Sequence, residues 1–278
     1  MTSGGVGGRP DRTERRLSIA LAALMAAQAI LGLLASGAYR DVAWIKATWF
    51  GNDLVTLLVA VPLLLGAMWF ASRGSTRARL LWLGVFGYAV YNYTYYVLGA
   101  ALNVFFALYI LTFVASIASL ILGLVRTDAT SVAAAFSGRT APRIVGGYFV
   151  FFAAALSVVW LGQWAAYVFA GRPTPLETEA FHLVAALDMT LMVPVLMTGG
   201  MLLWRHRPWG YVVAAVAGIQ ASLYLLVLSA NSVVSIIRGL VAAPGELPIW
   251  GTLMVLTLAA TAWLLRACGA SGSPMSPA

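Results

Sequence analysis

Charge is what this 278-residue chain has least of: only 9% of its residues are Asp, Glu, Lys or Arg, against 62% apolar. A soluble domain carries about a quarter charged residues, so this chain cannot coat a water-facing surface. Its mean hydropathy of +0.90 excludes a disordered chain and an ordinary soluble enzyme. The one cysteine, Cys268, excludes an internal disulfide and any multi-cysteine metal site. Of the two histidines only His182 falls at membrane depth, which leaves no paired haem ligands. The single lysine, Lys46, lies between apolar runs, so no span offers a retinal Schiff base. HExxH and CxxC are missing, and the glycines of MTSGGVGGRP follow no strand and precede no Walker lysine. No cofactor and no metal is implied.

What is present is a series of long apolar runs, and a crossing helix needs about 20 such residues. Runs between Arg16 and Arg40 and from Leu54 to Ser72 give two spans. The uncharged stretch from Leu80 to Val125 would be about 69 Å of helix, enough for two crossings. Gly99 to Asn103 is the turn expected between them. Four more spans follow: Ile144–Gly171, His182–Trp204, Gly210–Ala230 and Trp250–Leu265. The fold class expected is therefore all-α, a polytopic integral membrane protein with eight transmembrane helices.

The net charge of +8 fits membrane orientation better than nucleic acid, because the basic residues sit in short groups between spans. Thirteen of them (Arg9, Arg12, Arg15, Arg16, Arg73, Arg77, Arg79, Arg126, Arg139, Arg143, Arg205, Arg207 and Arg266) fall on one side, and only Arg40, Lys46, Arg172 and Arg238 on the other. The positive-inside rule then places both termini in the cytoplasm of a multi-pass plasma (inner) membrane protein. The organisation expected is a basic tail at 1–16, helices one to four at 17–126, a cytoplasmic linker at 127–142, helices five to eight at 143–266 and a mobile tail at 267–278. The run from Leu17 to Gly37 is longer than a signal-peptide core and more spans follow it, so it reads as a retained helix. Arg40 to Phe50 reads as a short segment at the outer headgroup level, where tryptophan is at home. The apolar segment 231–249 fits a helix extension, an interfacial stretch or a lid.

A gapless offset of 135 residues sets Gln28 on Gln163, Asp53 on Asp188 and Trp69 on Trp204. It suggests a parallel 4+4 pseudo-repeat about an axis along the membrane normal, with the two aspartates on facing helices.

Carboxylates in hydrocarbon cost at least about 2.5 kcal/mol, so they face a cavity or a partner. Asp188 lies 17 residues from Arg205, about 25 Å above it, and Asp53 is 20 residues from Arg73, about 30 Å. Asp53 also reads as a helix cap or first-turn acid. Gln28, Asn92 and Gln220 lie deeper. Tyr88, Tyr91, Asn92 and Tyr95 share one helical face with Tyr96 at its edge, while Tyr93 points away. Tyr95 and Tyr96 also suit an outer aromatic belt. Pro62 and Pro194 are expected to kink their helices. Glu177, Glu179 and His182 cluster outside, at spacings that make no metal site by themselves.

Together these groups point to an outward- or outer-leaflet-facing cleft for a small or lipidic molecule. Asp188, Asp53 and Tyr91 are the candidate catalytic or coupling groups, and Tyr88, Asn92, Tyr95, Gln163, His182, Gln28 and Gln220 the candidate binding groups. Three readings follow: a binder or transporter, an intramembrane enzyme acting on a lipid or isoprenoid by Asp/Tyr acid–base or cation-stabilising chemistry, and a non-catalytic accessory subunit. The partners expected are membrane lipid or a small ligand, and no nucleic acid.

Overall fold

A computed structural model describes residues 11–138 and 140–269 of the chain. Within them the regular structure is all helix: α1 (Arg12–Leu34), α2 (Ala43–Ala71), α3 (Thr76–Gly99), α4 (Phe106–Val125), α5 (Ala129–Ala134), α6 (Thr140–Ala170), α7 (Thr178–Trp204), α8 (Pro208–Ile237) and α9 (Leu247–Ala267). All but α5 are long, and seven of these eight are long and apolar enough to cross a membrane. The eighth, α3, falls short because Asn92 and five tyrosines lower its hydropathy. It is nonetheless, with α8, an inner helix of the bundle, and nearly all of its middle is buried. The molecule is a multi-helix bundle of the kind a multi-pass membrane protein forms.

Local chemistry sets the helix starts. Asp11 caps α1 in a capping box with Glu14, Ser75 caps α3, and Asp128 caps α5. Proline occupies the first turn of α8 and α9, where no backbone donor is lost.

Several boundaries differ from those read in the sequence. Residues 43–50 are no separate segment but the first turns of α2, where Trp49 packs on Tyr96 with ring centroids 4.6 Å apart. Asp53 therefore lies inside a helix, not at its cap. Segment 231–249 resolves into an extension of α8 to Ile237 and a connection to Leu247. Residues 12–16, read as tail, form the first turn of α1, and Glu14 is buried there against Arg79. The linker holds α5, which packs on α8. Gly269 donates to the Ala135 carbonyl at 2.7 Å, so the first residues after α9 are docked. The rest of the tails, from residue 1 to 10 and from 270 onwards, and Arg139 lie outside the described residues.

The long helices pack as two similar sets. In each, the first helix (α1, α6) lies against the second and fourth, and the third (α3, α8) against the second and fourth. The two third helices cross each other, and each also touches the second helix of the other set. The prolines do mark special turns: a π turn at Thr56–Ala60 runs into Val61-Pro62, and another at Asp188–Met192 runs into Val193-Pro194. A π turn accommodates a proline because it alters the hydrogen-bond ladder the ring interrupts. These matched turns are 132 residues apart. The α3–α8 crossing keeps the same register, since Gly84 abuts Ile219 and Gly87 abuts Val216. Under a shift of 132 those two contacts exchange. Asp188 then falls on Thr56, and Gln28 on Trp160, so the offset of 135 that paired the two aspartates is not the one the geometry follows.

Candidate functional site

Helix α3 carries two polar networks on two of its faces. On one, Tyr96 donates to Asp53 Oδ1 at 2.7 Å, Tyr39 to Oδ2 at 2.7 Å, and Gln28 Nε2 to Oδ1 at 2.9 Å. Tyr93 completes the set, donating to Gln28 Oε1 at 3.0 Å. Asp53, Gln28, Tyr93 and Tyr96 have no exposed surface. Four elements are tied here, α1, the turn after it, α2 and α3, and every donor is a side chain. Tyr93 was expected to point away from the Tyr91 face toward lipid or a neighbour; it does point away, and it meets a neighbour, Gln28 of α1, not lipid. Tyr96 is likewise interior and forms no part of an outer belt.

On the other face, Tyr91 donates to Asp188 Oδ1 at 2.6 Å and Trp160 Nε1 to Oδ2 at 2.9 Å. Asp188 opens the π turn of α7 and is 3% exposed. Its aromatic walls are Tyr224, edge-on to Tyr91 at 4.7 Å, and Phe181, edge-on to Trp160 at 5.4 Å. Trp160 is half-buried, on a stretch of α6 whose neighbours Val158, Val159 and Leu161 are exposed. One indole thus stands between the Asp188 carboxylate and the outside of the bundle.

The remaining candidates divide. Tyr88 shares a hydrogen bond with Thr56 at 2.9 Å, one turn from Asp53. Tyr95 packs on Trp49, with ring centroids 4.9 Å apart. Gln220 reaches only the Met192 sulfur, at 3.9 Å. Asn92 is buried with its Nδ2 unpartnered, and Gln163 has an unpartnered buried Oε1. No hydrogen bond joins Gln163 or His182 to Asp188, and His182 is exposed. The two aspartates share α3 but no side chain, so the groups form two enclosed networks rather than one cleft lining. A surface cavity of about 670 Å³ lies elsewhere, at the arginine-rich end, between Thr127–Thr130 and Arg207–Trp209. Among the described residues no cluster of His, Cys, Asp and Glu could hold a metal.

Sequence reading missed Tyr39, Thr56 and Trp160. Tyr39 closes the first apolar run, just before Arg40, and the structure places it in the turn after α1. Trp160 gave one signal, an indole N–H in an apolar run, which needs an acceptor when buried.

Family models, curated proteins and solved structures were all compared with this chain, and none matches it.

Proposed function

We propose that this protein is an intramembrane enzyme acting on a lipid or isoprenoid, with Asp188 and Tyr91 as its proton-transfer pair. The observation that carries the reading is the placement of Asp188: a hydroxyl donor 2.6 Å away on the inside and the half-buried Trp160 on the bilayer side. A carboxylate and a phenol in that relation supply a proton acceptor and a donor at one point. Trp160 fixes the carboxylate by its other oxygen. Tyr224, Trp160 and Phe181 offer ring faces to an apolar chain or to a developing cation. A substrate arriving sideways from the bilayer past Trp160 meets the acid first.

The Asp53 network has a different role in this reading. Its donors are satisfied among themselves and no face is left for a substrate, which favours a latch binding α1, α2 and α3. Interhelical hydrogen bonds of this kind stabilise membrane bundles modestly, by about 1 kcal/mol each. Asn92, Tyr88 and Gln220 line the interior between the two networks. Gln163 and His182 lie at the outer approach to Trp160.

The topology that goes with this is eight crossings, α3 included, in a parallel 4+4 duplication at an offset of 132. Both termini are cytoplasmic in an inner-membrane protein. The rule that basic residues stay inside supports it, because every arginine-rich helix end falls at one end of the bundle.

Comparative lipid analysis of cells producing the wild-type chain or Asp188→Asn tests the enzyme reading. Lipid species that change with the wild type and not with the variant are expected. Identical profiles, with both proteins present at equal levels, overturn it.

A further inference from the structure

Trp49 packs on Tyr95 and Tyr96, and Thr56 hydrogen-bonds Tyr88, so α2 and α3 run antiparallel with 49 level with 95–96 and 56 level with 88. Midway between these contacts, that register sets Asn52 level with Asn92. Asn52 shares the face of Trp49 and Thr56, at spacings of three and four. Asn92 shares that of Tyr88 and Tyr95, at four and three. Both side chains are buried, with exposures of 1% and 2%. Asn52 Oδ1 and Asn92 Nδ2 have no hydrogen-bond partner.

One of these atoms is an acceptor and the other a donor. Leaving either dry and unpaired costs about 1–3 kcal/mol, and buried amides in proteins are almost always satisfied. Their neighbour Asn231 shows the contrast. With its amide turned, it donates to the carbonyls of Val227 and Thr48, so both of its donors are used. Gly51 supplies the room for it, since a methyl group there would overlap the end of the Asn231 side-chain amide.

We propose that Asn52 and Asn92 form a buried site for one hydroxyl group, which donates to Asn52 Oδ1 and accepts from Asn92 Nδ2. A water molecule and the hydroxyl of a membrane alcohol share that chemistry. A group held there lies between the helix turn bearing Asp53 and the turn bearing Tyr91 and Tyr93. It gives the Asp53 and Asp188 networks a common polar neighbour. The site stands independently of the enzyme reading, because it follows from two amides and a helix register and needs no role for Asp188.

Electron cryo-microscopy of the full chain in lipid nanodiscs, at a resolution that shows ordered water, tests it. The expected result is a non-protein peak within hydrogen-bond reach of both Asn52 Oδ1 and Asn92 Nδ2. An isolated peak identifies water, and one continuous with a chain identifies a lipid alcohol. Two amides bonded directly to each other, or two amides with no peak between them, overturn the proposal. Asn92→Leu is expected to abolish the peak, and a peak persisting at full height in that variant also overturns it. Should that variant not fold, the wild-type map decides alone.

Discussion

Gly32 stands against Asp53 so closely that a methyl group on the glycine would overlap both the Asp53 carboxylate and the Tyr39 hydroxyl. The absence of a side chain at this one point of α1 is what lets the carboxylate enter between α1 and α2. Gly32→Ala is therefore expected to push Asp53 off its donors and destabilise the bundle by about 1–3 kcal/mol, the usual range for overpacking. Gly66→Ala, at a position with open space beside it, is the control and is expected to be neutral. Thermal unfolding in mild detergent measures both. Equal midpoints for the two variants would show that Gly32 does not shape the network.

The two aspartates are expected to separate by phenotype. Tyr96→Phe leaves Asp53 with one donor fewer and lowers stability by about 1–3 kcal/mol, the cost of a buried acceptor short of a partner. Tyr91→Phe and Trp160→Phe strip donors from Asp188, and their larger effect is expected on lipid turnover, by tenfold or more. Unfolding midpoints and lipid profiles, taken on all three variants, read the split. If turnover falls with Tyr96→Phe as steeply as with Tyr91→Phe, the division of roles is wrong.

Glu14 and Arg79 form a buried ion pair at 2.7 Å, joining the starts of α1 and α3. The Arg79 guanidinium also donates to the Gly123 carbonyl of α4 at 2.9 Å. Glu14→Gln removes the charge that Arg79 faces and is expected to cost about 3–5 kcal/mol, since the remaining charge stays buried. Glu14→Leu combined with Arg79→Met should recover part of that loss. Denaturant titration of the single and double variants checks the order, and a double variant weaker than Glu14→Gln would contradict it.

Asp128 caps α5 at the surface. The Ser131 hydroxyl, with the Ser131 and Thr130 amides, holds its carboxyl below the usual carboxylate range. A group whose folded pKa is depressed contributes stability above its unfolded value, near 3.9, and loses it as pH falls through the folded one. Protection of the Thr130 and Ser131 amides, measured against their intrinsic exchange rates, is thus expected to fall as the pH drops below about 4. Asp128→Asn keeps a capping oxygen and is expected to abolish that fall. An unchanged pH dependence in the variant would place its origin elsewhere.

Much of the architecture can be read without coordinates. Low charge and repeated apolar runs require a membrane bundle, and the grouped arginines mark one end of every long helix. Asp53, Asp188, Gln28 and Tyr91 stand out because an ionisable or amide group in an apolar run must find a partner. The extent of α2 was hidden, since Trp44, Trp49 and Lys46 look interfacial in a linear reading while Trp49 is in fact covered by Tyr95 and Tyr96. The matched spacing of the two π turns was hidden too: π turns leave no composition signature, so matching rare residues chose 135 where the turns and the α3–α8 contacts are related by 132.

That carboxylates lie within apolar helices follows from residue order alone, because the cost of burying charge depends only on residue type and depth. Which partners satisfy them was decided by the tertiary structure. Tyr91 and Tyr93 are two residues apart on one helix, nearly opposite in direction, and serve different acids. That assignment rests on which helix packs against each face of α3, and helix order in space is not written in the periodicity of any single segment.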